Sequence, residues 1–149
     1  MTFRTYSDPS ERFEIKVPQN WLAENLQQAG VEIAFLSPED NVDFRSNVNV
    51  VVQHLSPLTK QEYILLNQLQ IRHMLRSNSL ERDQLIESGA HVFEWENQIP
   101  LPLWIHQRLF FGEDLVFTVT STCLAGEKKQ LSDTFEAISD SFRLKNQSN

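Results

Sequence analysis

The feature that most limits the fold of this chain lies in its last third. Two runs rich in apolar and β-branched side chains, Leu103 to Phe111 and Leu115 to Cys123, flank the polar Gly112-Glu113-Asp114. Such runs joined by a short loop predict an antiparallel β-hairpin. Loop length then decides which side chains share a face, because a slip of one residue carries a whole set across the sheet. A two-residue turn at Gly112-Glu113 pairs Phe111 with Asp114 and mixes polar and apolar groups on both faces. A three-residue loop, Gly112 to Asp114, pairs Phe111 with Leu115 and is the register that segregation favours. It gathers Leu103, Ile105, Leu109, Phe111, Leu115, Phe117 and Val119 on one face and leaves Trp104, His106, Arg108, Phe110, Thr118, Thr120 and Thr122 on the other.

After the hairpin, Leu131, Phe135, Ile138 and Phe142 recur at steps of four, three and four, so a helix over about Glu127 to Phe142 presents one narrow apolar stripe. That stripe is expected to meet the hairpin's apolar face. A second helix is predicted from Thr59, an N-cap with Glu62 as its capping-box partner, to about Ser77. Its Tyr63, Ile64, Ile71, Met74 and Leu75 form a stripe for the sheet. Leu65, Leu66 and Leu69 form another on the far side, among Glu62, Arg72, His73 and Arg76. Surplus apolar surface of this extent needs a cover.

Upstream, Phe13 to Val17 alternates apolar and charged side chains and stops at Pro18, the pattern of a half-buried strand. Val31 to Leu36 and Val48 to Leu55 read as further strands ended by Ser-Pro, with a surface loop from Pro38 to Asn47 between them. Gln84 to Glu87 and Val92 to Glu96 read as short strands around Ser88-Gly89, and Ile99 to Pro102 as a connector. Strands, helix, strands, helix with short connections define an α+β fold built on an antiparallel sheet. The 149 residues suit one domain, residues 1–144, with a polar tail at 145–149.

Twenty acidic against thirteen basic residues give a net charge of −7, which disfavours nucleic acid as a partner. The first twenty residues contain no apolar run of the length a signal peptide or membrane span needs, so the expectation is a cytoplasmic protein. The single cysteine, Cys123, excludes an internal disulfide and a thiolate zinc site, and reads as an inert structural thiol. Four scattered glycines build no phosphate loop. His54, His73, His91 and His106 lie on separate elements without ligand spacing, and His91 with Glu94 and Glu96 is the least poor cluster. No catalytic residue, metal ligand or cofactor is assigned.

Across its length the chain resembles the PsbP-like superfamily, which includes the extrinsic PsbP subunit of photosystem II, a nuclear Ran-release factor and many bacterial domains. The residues carrying the resemblance are Phe13-Glu14-Ile15-Lys16-Val17-Pro18-Gln19-Asn20-Trp21, Asn47 to Val52 leading to Leu58-Thr59, Phe117 to Thr122, and Asp133 to Phe142. The resemblance implies an antiparallel sheet flanked by helices, an α/β/α sandwich, and a non-enzymatic binding, assembly-factor or chaperone role. One cytosolic bacterial branch, chaperones for effectors of type VI secretion, is similar in length and acidity. A photosystem II-associated protein and a small metal-dependent enzyme are the alternatives. The expected contact residues, for a protein partner or a second copy, are Leu65, Leu66 and Leu69 on the first helix and Trp104, His106, Arg108, Thr118 and Thr120 on the hairpin.

Overall fold

The computed structural model describes residues 1–26, 28, 30–38, 43–75, 80–98 and 100–145. Among them, ten strands form two antiparallel sheets. The larger has the order β3 (Leu22–Glu24), β4 (Val31–Leu36), β5 (Asn47–His54), β9 (Leu115–Leu124), β8 (Leu103–Phe111), β7 (His91–Asn97) and β6 (Arg82–Leu85). The smaller is β1 (Phe3–Ser7), β2 (Phe13–Pro18) and β10 (Arg143–Leu144). Pairing of β5 with β9 joins the two halves of the chain at the centre of the large sheet.

The small sheet and α2 (Lys128–Asp140) cover one face of the large sheet. Phe13, Ile15 and Val17 alternate inward from β2, wholly buried, to meet Ile33, Phe35, Val48 and Val50. The stripe on α2, continued by Phe142 just past the helix end, completes this layer: Phe135 stacks on Trp104 (centroids 5.9 Å apart, 7° between planes), and Phe142 stacks on Phe110 at 4.3 Å. On the opposite face, α1 (Lys60–Leu75) covers a second cluster of Ile71, Phe93, Trp95, Ile105 and Leu109. The α+β class and its antiparallel pairing are therefore as expected, while β1, β3, β10 and the separate small sheet were not anticipated.

The hairpin register differs from the expected one by a single residue. Phe111 pairs with Val116, not Leu115, and the Gly112 N–H donates to the Leu115 carbonyl at 2.8 Å. Four residues thus separate the last paired positions. The slip exchanges partners across the faces: Trp104, His106, Arg108 and Phe110 lie beside Cys123, Ser121, Val119 and Phe117 and face α2. Ile105, Gln107 and Leu109 lie beside Thr122, Thr120 and Thr118 and face α1. Selecting the register with one apolar face assumed a sheet wetted on the other. Here helices cover both faces, so both carry apolar residues.

Other boundaries move little. The strands expected at Gln84 to Glu87 and Val92 to Glu96 run at Arg82–Leu85 and His91–Asn97. The expected end of the first helix near Ser77, the middle of the loop after Pro38, and most of the tail lie outside the described residues. Met74, assigned to the sheet-facing stripe, is exposed, because it sits at the edge of an arc centred on the buried Ile71.

Candidate functional site

The first helix starts at the anticipated capping box. The Thr59 hydroxyl accepts from the Glu62 N–H at 3.1 Å, and the Glu62 carboxylate accepts from the Thr59 N–H at 2.8 Å. Two donors that a helix start leaves open are satisfied in this way. From there Tyr63, Ile64, Ile71 and Leu75 turn toward the sheet. Tyr63 meets Phe111 edge-on at 6.2 Å and donates its hydroxyl to Gln53 at 2.6 Å, and burial raises its phenol pKa.

Polar side chains fasten α1 to the sheet through bonds that reach β6, β7, β8 and β9. Asn67 donates to Gln107 at 2.8 Å, and Gln107 in turn donates to the Thr120 hydroxyl at 3.4 Å. Gln68 donates to Asp83, whose other oxygen lies 2.6 Å from His91 Nε2. The helix is therefore held in a fixed position while its outer side stays open. Leu65, Leu66 and Leu69 are 51%, 46% and 52% exposed, and Met74 lies beside them.

Two adjoining clefts, which share Leu66, Asn67, Gln70 and Gln107, border this ridge on one side. One, of about 700 Å³, is lined by Leu66, Leu69, Ile71, Met74 and Trp95 with amide and imidazole groups between them. The other, of about 330 Å³, runs between α1 and the β5–β9 pair and is lined by Val51, Leu58, Tyr63, Leu66, Thr118 and Thr120 among others. Among the described residues, neither cleft is lined by an Asp, Glu, Lys or Arg. In a chain that is 22% charged, this is a large neutral surface.

The structure brings Leu66 together with Thr120 and the buried Thr118 along one cleft, leaves Leu65 and Leu69 outward on the same helix, and separates all of them from Trp104, His106 and Arg108. The last three are buried on the far face beneath α2. The free polar face expected around them is a consequence of the expected register and goes with it. Trp104 stacks with Phe135 and has the Lys128 ammonium over its ring, 5.1 Å from the centroid. Arg108 donates to Glu136 and Asp140, both at 2.6 Å. Arg82 donates to Glu136 at 2.8 Å and to Glu94 at 3.3 Å, and His106 Nδ1 sits 2.7 Å from Glu94. Burial works to raise the Glu94 pKa, but His106 and Arg82 outweigh it and hold the carboxyl below its ordinary value.

Glu94, His106 and Glu136 place ligand atoms within 4.8 Å of one another, the spacing of a metal site. The Arg82 guanidinium already bridges the two carboxylates, so the cluster's chemistry is that of an ion-pair network tying α2 to β6, β7 and β8. The grouping of His91 with Glu94 and Glu96 is split by strand alternation: His91 faces α1 and pairs with Asp83, while both glutamates face the other way. Ser56, Asp114 and His54 meet at the β8–β9 turn, but hydroxyl and imidazole both bind the carboxylate, so the imidazole is not placed as a base for the serine. Burial pushes the Cys123 thiol up to about 12, which leaves it unreactive. Trp95 went unnoticed in the sequence, although it shares strand parity with the core residue Phe93, and Met74, assigned to the sheet-facing stripe, lines the larger cleft instead.

Comparison with known proteins places this arrangement. The family model for PsbP matches residues 1–65. CyanoP, the PsbP of the cyanobacterium Synechocystis sp. PCC 6803, superposes with a TM-score of 0.71 at 15% identity, over 96% of this chain and 92% of that one. The fold is PsbP-like. LpqN of Mycobacterium tuberculosis, described as involved in cell envelope biogenesis, shares the fold with a TM-score of 0.62 at 9% identity, over 97% and 91% of the two chains. The Ran-binding protein Mog1p of Saccharomyces cerevisiae does so at 0.59 and 10%, over 97% and 96%. No curated protein matches the sequence. Among the described residues of this chain, no helix is long and apolar enough to cross a membrane.

Proposed function

We propose that this chain is a non-enzymatic protein-binding module of the assembly-factor or chaperone type, and that its contact surface is the outer side of α1 with the two adjoining clefts beside it. The exposure of Leu65, Leu66 and Leu69 on a helix whose inner side is already packed carries the reading. Half-exposed leucines in a row, beside neutral apolar clefts, favour an uncharged protein surface over an ion, a nucleotide or nucleic acid. Thr118 and Thr120 supply hydroxyls at the floor of the second cleft. Mog1p, described as Ran-binding, is an instance of the same fold serving a protein partner. The PsbP match over residues 1–65 makes a photosystem II-associated role the specific alternative for where such binding takes place. Hydrolytic or metal-dependent chemistry has less support, since His91, His106 and His54 are engaged by Asp83, Glu94 and Asp114.

The test is site-specific photo-crosslinking in the source cells. A benzophenone side chain at Leu69 is expected to give a discrete protein adduct, and the same group at the exposed Lys16 on β2 is expected to give none. Adducts from Lys16 alone, or equal ones from both positions, would contradict the proposal.

A further inference from the structure

Glu62, Leu66, Leu69 and His73 follow one another on α1 at steps of four, three and four, and all four are exposed. They form one straight seam, acid at its start, leucine at its centre and imidazole at its end, with Leu65 alongside. A seam with this order of chemistry is complementary to itself when reversed. We infer that the occupant of the α1 surface is a second copy of this chain, docked with the two α1 helices antiparallel across a two-fold axis between Leu66 and Leu69.

Such an axis sets Leu66 of one copy against Leu69 of the other and turns each Glu62 carboxylate toward the opposite His73. An isologous contact needs a patch that offers both projection and recess. The α1 surface does, because its leucine ridge borders two clefts that the helix itself helps to line. Charge points the same way. Two molecules of net charge −7 repel, so a self-contact requires a face without surplus acid, and among the described residues these clefts are lined by no Asp or Glu. The helix is about 24 Å long at 1.5 Å per residue, which limits the contact to the low end of specific interfaces and makes the dimer concentration-dependent.

The inference rests on the reading of α1 as the contact surface, and it is tested on purified protein with no other partner present. In sedimentation equilibrium the weight-average mass is expected to rise from monomer to dimer with concentration. Leu65→Asp with Leu69→Asp is expected to remain monomeric with unchanged far-UV circular dichroism. His73→Glu, which sets an acid against Glu62, is expected to weaken the dimer about tenfold, and His73→Lys to preserve or tighten it. Both leave the capping box untouched. A wild-type protein that stays monomeric throughout would overturn the dimer while leaving the crosslink at Leu69 to decide the contact surface. A dimer that survives the double aspartate, or responds alike to His73→Glu and His73→Lys, would overturn it too.

Discussion

Arg108 carries its charge into the core because two carboxylates of α2 come down to meet it, at 2.6 Å each. Breaking a buried ion pair from one side costs about 3–5 kcal/mol where both partners are dry, and Glu136 and Asp140 are partly solvated, so Arg108→Ala is expected to lower the unfolding free energy by about 2–3 kcal/mol. Urea denaturation with an unchanged slope measures it. Glu94 gives the network its pH dependence. Its folded pKa lies below its unfolded one, so its contribution is complete above about pH 4.5 and is lost as pH falls through the folded value. The urea midpoint should accordingly fall on acidification below that point. Glu94→Gln is expected to flatten that limb, and an unaltered limb would place the acid sensitivity elsewhere. None of this was readable from spacing, since β6, β7, β8 and α2 each supply one or two of the six groups.

At the scale of elements, what was legible had a complete local signal. The capping box at Thr59 and Glu62 names both partners in four residues, and Thr59→Ala is expected to cost about 1 kcal/mol of stability. Phe13 to Val17 shows its period in full, and the α2 stripe has the spacing expected of it but packs on the Trp104 and Phe110 side of the hairpin, not on the Leu103, Ile105 and Leu109 side. By contrast β10 has two residues and β3 three, too short to show a period, and β1 carries Arg4, Thr5 and Tyr6 on an edge paired only with β2. The hairpin was visible as a hairpin but not in its register, because Phe117 and Val119 fit either face once both are covered. Phe135, wholly buried against Trp104 and Trp21, tests the observed register: Phe135→Ala should cost about 3–5 kcal/mol, and Trp104 fluorescence should change with it. Of the expected contact residues, those on α1 kept their exposure because a helix face follows from sequence period alone. Those on β8 lost theirs to α2, which no local pattern could place.

Taken whole, the molecule uses the two faces of its large sheet differently. One is closed by α2, the small sheet and a charged network; the other, among the described residues, is covered by α1, chiefly over β7 and β8, with leucines left outward on the helix. This division is the basis for assigning binding to α1 and stability to α2. Substitutions on an exposed helix face leave stability within about 0.5 kcal/mol, so Leu65→Asp with Leu69→Asp separates the two roles in one protein. The decisive measurement is capture of protein, including an untagged second copy, by the tagged double variant, with its urea midpoint taken on the same preparation. The account predicts an unchanged midpoint and lost capture. Full capture at an unchanged midpoint would contradict it and move the contact surface off α1.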